Sequence, residues 1–104
     1  MIGLLCISFM TPALAGDVAA GRTLWKANCM ACHGQNADGK GPAAAALRPS
    51  PTDFTAAAYW AGTTDADIRT AIRTGSPGTS MMAFAQLSDE QIANIIAFLK
   101  TKKP

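Results

Sequence analysis

Cys29-Met30-Ala31-Cys32-His33 is the stretch on which the reading of this chain turns. Two cysteines separated by two residues, with a histidine directly after the second, form the C-x-x-C-H signal for attachment of a c-type haem. The spacing has a physical reason. On one helical turn both thiols reach the same edge of a porphyrin, where each can close a thioether on a vinyl group, and the adjacent histidine falls under the iron. A covalent link of this kind keeps the cofactor on a small protein when it meets water or a partner.

Other uses of the same residues lack their supporting parts. A redox dithiol sits beside a strand in a βαβ unit, and no such alternation occurs here. A closed structural zinc site takes four ligands, but His33 is the sole histidine and Cys6 the only other cysteine. A plain disulfide of an exported protein would leave His33 without a purpose.

Cys6 belongs to a segment that differs in kind from the rest. Met1–Ala15 carries no charge and runs Ile2, Leu4, Leu5, Ile7, Phe9, Met10 before Pro12, then ends Ala13-Leu14-Ala15-Gly16. The small-x-small ending reads as a signal-peptidase site, so cleavage is expected after Ala15 and the mature domain spans 16–104. The basic region that normally opens a signal is missing, so the start lies upstream or the numbering begins inside it. An uncleaved anchor is the competing reading, although crossing the hydrocarbon core takes roughly 20 apolar residues. Leu5 before Cys6 argues against a lipoprotein site. The expected destination is export, to a bacterial periplasm.

The 104 residues, 49% of them hydrophobic, allow one compact domain. A net charge of +2 is too small for a nucleic-acid footprint, and Lys100, Lys102 and Lys103 read as a solvated tail. With 15% charged residues and apolar residues at helical spacing, disorder is excluded.

Outward from the motif, Asp17 is an N-cap for a helix to about Met30, with Val18, Gly21, Leu24, Trp25 and Asn28 on one stripe. Gly21 costs about 1 kcal/mol in mid-helix relative to Ala, which a close approach by another element would justify. Ser88 and Gln91 form a capping box that opens a last helix to about Lys102, with Ile92, Ile95, Ile96, Phe98 and Leu99 inward. A third helix is expected over Thr64–Thr74, with Ile68, Ala71 and Ile72 inward and Gly75 ending it. Loops are expected at 34–42, 48–53 and 75–80, with Asp53 turning its own loop.

Taken together these segments resemble the class I cytochromes c over essentially the whole mature chain. Gly21-x-x-Leu24-Trp25 before Cys29-x-x-Cys32-His33-Gly34 is similar to the family's first helix, with Trp25 where Phe or Tyr is more usual. Gly39-x-Gly41-Pro42 and Leu47 resemble its haem-enclosing loop, Gly75-x-Pro77-Gly78-Thr79-x-Met81-x-Ala83-Phe84 its methionine loop, and Leu87 to Leu99 its closing helix. The resemblance implies an all-α cytochrome c fold: three main helices plus loops wrapped round one covalent haem c and its iron, with the first and last helices crossing where Gly21 meets Phe98. It places His33 and Met81 on the metal, with Met82 standing where the family commonly has proline. Met82 as the ligand, or a methionine that merely packs, remains the alternative. Pro42 is the position whose carbonyl accepts from the ring nitrogen of His33 that is not on iron. Arg48, Tyr59 and Trp60 are candidates for the haem propionates, against solvent exposure for Arg48 and plain packing for the aromatics.

An iron closed by His33 and Met81 has no place for a substrate, so the expected work is electron transfer and not enzymatic turnover. The expected partners are a redox donor and acceptor docking near the exposed haem edge, framed by Ala43–Ala46 and 76–83, with the chain a monomer and steering weak because the propionates bring the charge near zero. Two alternatives stand beside this: a haem-bearing subunit or dedicated donor of one periplasmic oxidoreductase, and an open-site sensor or peroxidase should the methionine leave the iron.

Overall fold

A computed structural model of the chain describes residues 16–104 together with Gly3. The expected signal and its cleavage point otherwise fall outside the described residues. Among these residues every regular element is helical.

Helix α1, Val18–Asn28, starts as the sequence implies: the Asp17 carboxylate accepts from the Ala19 and Ala20 N–H groups at 2.9 and 3.2 Å. It stops two residues short of the expected Met30. The Asn28 side-chain amide donates to the Leu24 carbonyl and Cys29 leaves helical geometry at φ −120°, ψ −26°. One turn, α2 (Met30–His33), follows this break and is ended by Gly34 at φ +86°. A 3-10 turn at Ala44–Ala46 follows, then the five-residue α3, Ala57–Ala61. Neither was expected, since both are runs of alanine or aromatics without a side-chain cap. Helix α4, Asp65–Thr74, carries a complete capping box between Thr64 and Asp67 and ends at Gly75. Helix α5, Asp89–Lys100, carries the Ser88–Gln91 box and passes into a turn at Thr101–Lys102.

The core is where α1 crosses α5. Trp25, Ile92, Ile95, Phe98 and Leu99 are buried there, and the Trp25 and Phe98 rings lie 5.6 Å apart between centroids. Gly21 makes the crossing possible. A Cβ at that position would fall inside the van der Waals envelope of the Asn94 carbonyl oxygen and 3.0 Å from Phe98 Cβ. The meeting of Gly21 with Phe98 thus holds, and Asn94 adds a tie the sequence did not announce by accepting from the Asp17 N–H at 2.8 Å. Ile68 and Ile72 of α4 close the core from a second side.

Candidate cofactor site

The helices and the three loops leave a cavity of about 520 Å³, inside the size range of small-molecule and cofactor sites. Its wall holds Cys29, Cys32 and His33 from the α1–α2 break, Met81 from the loop after α4, Tyr59 from α3, and apolar side chains including Trp25, Phe54, Ile72 and Leu99. Both cysteines are free thiols and partly buried.

Burial sets the chemistry of the motif. Desolvation, reinforced by the neighbouring Cys32, pushes the Cys29 thiol up to about 12. A dithiol redox centre works through a thiolate stabilised at neutral pH, the opposite of what burial does to Cys29. Burial also holds the His33 pKa below its ordinary value, against the opposing pull of a hydrogen bond to the Thr52 carbonyl. Burial thus favours the neutral imidazole, the form that ligates a metal.

In this structure that bond goes to Thr52 and not to Pro42, the expected acceptor. His33 Nδ1 lies 3.2 Å from the Thr52 carbonyl oxygen, and donation there leaves Nε2 with its lone pair. Pro42 sits on the surface instead, since the Gly41 and Ala43 N–H groups on either side of it donate to the Cys32 and Ala31 carbonyls and pin the segment along the outside of α2. Thr52 acts through its backbone, so no side-chain signal could have marked it. The neighbouring Asp53 turns its own loop as expected, accepting from the Thr55 N–H at 2.8 Å.

The three propionate candidates separate. Tyr59 lines the cavity, edge-on to Phe54 at 5.0 Å. Trp60 does not: its Nε1–H donates to the Phe54 carbonyl at 2.7 Å, which holds the indole behind the wall as packing. Arg48 is exposed and folds back on its own turn, donating to the Ala45 and Leu47 carbonyls at 3.2 and 2.7 Å. In this structure Arg48 and Trp60 donate to local carbonyls, and neither is among the residues that line the cavity.

The methionines separate as well. Met81 is partly buried against the core, and its sulfur accepts a hydrogen bond from the Ser76 hydroxyl at 3.8 Å. Met82 is 68% exposed at the cavity rim. The far end of this loop is anchored to the helices: Phe84 N–H donates to the Ile72 carbonyl at 2.9 Å, and Arg73 donates to the Leu87 carbonyl while pairing with Asp89 at 2.7 Å. Ser76 went unremarked in the sequence, although a hydroxyl beside the glycine that opens a methionine loop was the available signal.

Among the described residues no group of three His, Cys, Asp or Glu side chains is placed to hold a metal ion by itself. The donor set is instead two thiols, one neutral imidazole and one thioether on the walls of a largely apolar cavity, and that set fits an iron porphyrin held by its edge. A helical shell of this kind with this motif defines a monohaem c-type cytochrome. The comparison with known proteins agrees: the family model for cytochrome c matches residues 18–103, and the chain belongs to that family. It is 37% identical over 93 residues to cytochrome c-554(547) of Halothiobacillus neapolitanus, covering 86% of this chain and 100% of that protein. It is 33% identical over 93 residues to cytochrome c6 of a Picosynechococcus species, covering 88% of this chain and 79% of that one. Among solved structures it superposes on a subunit of the Kuenenia stuttgartiensis reducing HAO-like protein complex with TM-score 0.70 and 28% identity, covering 81% of this chain and 41% of that one. It also superposes on the KustC0563 c-type cytochrome with TM-score 0.69 and 26% identity, covering 81% of this chain and 98% of that one. The cofactor is therefore a covalently bound haem c with its iron, and the class of work is electron transfer. No helix among the described residues is long and apolar enough to cross a membrane.

Proposed function

We propose that this chain is a small exported monohaem carrier that passes single electrons between periplasmic redox partners and is not itself an enzyme. Cys29 and Cys32 would hold the haem, and His33 and Met81 would ligate its iron. The observation that carries this reading is the difference in burial between the two adjacent thioethers, both of which line the cavity that also holds His33: Met81 is packed against the core, while Met82 stands 68% exposed. When bound, the haem supplies a metal centre that changes charge by one electron. The chain's own residues do the rest. The Thr52 carbonyl fixes the His33 ring, Trp25, Phe54, Ile72 and Leu99 keep water from the pocket, and the Met81 side chain closes the position that a substrate would need. A rigid, mostly apolar shell reorganises little when charge arrives or leaves, which suits rapid exchange with a partner. The rim of the cavity, with Met82 and the Leu47–Pro51 segment, is the docking face, and the chain acts as a monomer. Protein-film voltammetry of the haem-loaded protein tests the reading: one reversible one-electron wave is expected, and turnover of peroxide with release of product would overturn it.

A second reading is favoured by one comparison. The chain spans 41% of the length of the subunit from the reducing HAO-like complex, so a haem-bearing subunit or dedicated donor of one oxidoreductase remains the alternative. Copurification with a larger enzyme through high-salt washes selects it over the free carrier.

A further inference from the structure

Met82 occupies the place after Met81 where a proline would stiffen the loop, and two adjacent methionines offer the cavity a choice. The loop contains a device that makes the choice. Ser76 grips Met81 at both ends: its N–H donates to the Met81 carbonyl at 3.3 Å and its hydroxyl to the Met81 sulfur at 3.8 Å. Thr79 completes the ring. Its N–H and hydroxyl both donate to the Ser76 carbonyl, at 3.1 and 2.7 Å, and its oxygen accepts from the Met81 N–H at 3.1 Å. Gly75 lets the turn close, since its φ of +76° suits glycine and a Cβ there would stand 2.8 Å from the Met81 carbonyl oxygen. The backbone and the sulfur of Met81 are thereby held by the same two residues.

We propose that Ser76, supported by Thr79, is the positioning residue that selects Met81 over Met82 for the iron and tunes the sulfur once selected. The proposal rests on the reading of Met81 as axial ligand. A thioether sulfur has two lone pairs, so one can face the metal while the other accepts the Ser76 hydroxyl. A donor on the sulfur draws electron density from it, weakens its support of ferric iron and so favours the ferrous state; hydrogen bonds around a haem are a recognised lever on potential. The same bond holds the side chain inward and opposes its replacement by an outside ligand.

The test uses haem-loaded Ser76→Ala, Ser76→Thr and Thr79→Val, with Met81→Ala and Met82→Ala as references. The readouts are the sulfur-to-iron charge-transfer band of the ferric protein, the reduction potential, and imidazole binding to ferric iron. Ser76→Ala is expected to lower the potential and tighten imidazole binding about twofold, the low end for one hydrogen bond, because a thioether sulfur is a weak acceptor. Ser76→Thr, which keeps the hydroxyl, should restore both, and Thr79→Val should shift imidazole binding in the same direction as Ser76→Ala. Loss of the charge-transfer band in Met82→Ala but not in Met81→Ala would overturn the ligand assignment and this proposal with it. A band that depends on Met81, together with unchanged potential and imidazole affinity in Ser76→Ala, would overturn the role of Ser76 alone.

Discussion

Gly21→Ala tests the packing that supports the whole site. In an isolated helix the change would stabilise by about 1 kcal/mol. Here the new Cβ would sit inside the Asn94 carbonyl and 3.0 Å from Phe98 Cβ. The main obstacle is backbone, not the tip of a flexible side chain, so relief requires α1 and α5 to move apart. Overpacking of a tight core costs about 1–3 kcal/mol, and a backbone obstacle belongs at the upper end. Subtracting the propensity gain leaves a net loss of about 2 kcal/mol. For a domain of this size that lowers Tm by roughly 8–16 °C. Thermal unfolding of the haem-loaded protein, followed by circular dichroism, reads it directly. Gly62→Ala is the matched control, since a Cβ there meets nothing within 4 Å and φ is an ordinary −111°, and its Tm should be unchanged or a few degrees higher. A Gly21→Ala protein as stable as wild type would refute the account of the crossing.

Trp25→Phe removes a buried hydrogen bond of 2.9 Å from the indole to the Gly34 carbonyl, and the smaller ring leaves a gap; a loss of about 2 kcal/mol is expected as a lower urea midpoint at unchanged slope. Arg73→Ala frees the end of the methionine loop by deleting the Asp89 pair and the bond to Leu87; with the side chain only partly exposed, about 1 kcal/mol is expected in the same assay. Cys29→Ser or Cys32→Ser should yield little folded holoprotein, since a chain this small depends on the apolar surface its cofactor supplies; recovery of a normally folded, haem-free variant by circular dichroism would count against that coupling. Tyr59 is the sole tyrosine, and burial raises its pKa above the ordinary 10.0. The native state therefore keeps its proton longer than the unfolded chain does, so stability should fall as pH rises past about 10. An ultraviolet phenolate titration that tracks free tyrosine would contradict this.

The main helices were legible because their signals are local. Asp17, the Thr64 start and the Ser88–Gln91 box cap where the structure caps, and the apolar stripe of α5 is the stripe that is buried. The cavity wall was legible where a motif fixes it, at Cys29, Cys32, His33 and the methionine loop. What escaped was set by backbone carbonyls. The Thr52 oxygen receives the His33 ring, the Phe54 oxygen captures Trp60, and the Ala45 and Leu47 oxygens hold Arg48. Every residue has such a carbonyl, so sequence carries no mark of which one a side chain will find. The stop of α1 at Asn28 has the same origin, an amide bonded back to Leu24.

The proposed carrier needs an iron closed by this chain's own side chains. Carbon monoxide added to the ferrous haem-loaded protein at neutral pH decides the matter, with Met81→Ala beside it. An unchanged wild-type spectrum and ready binding by the variant are expected. Prompt binding by the wild type would contradict that closure.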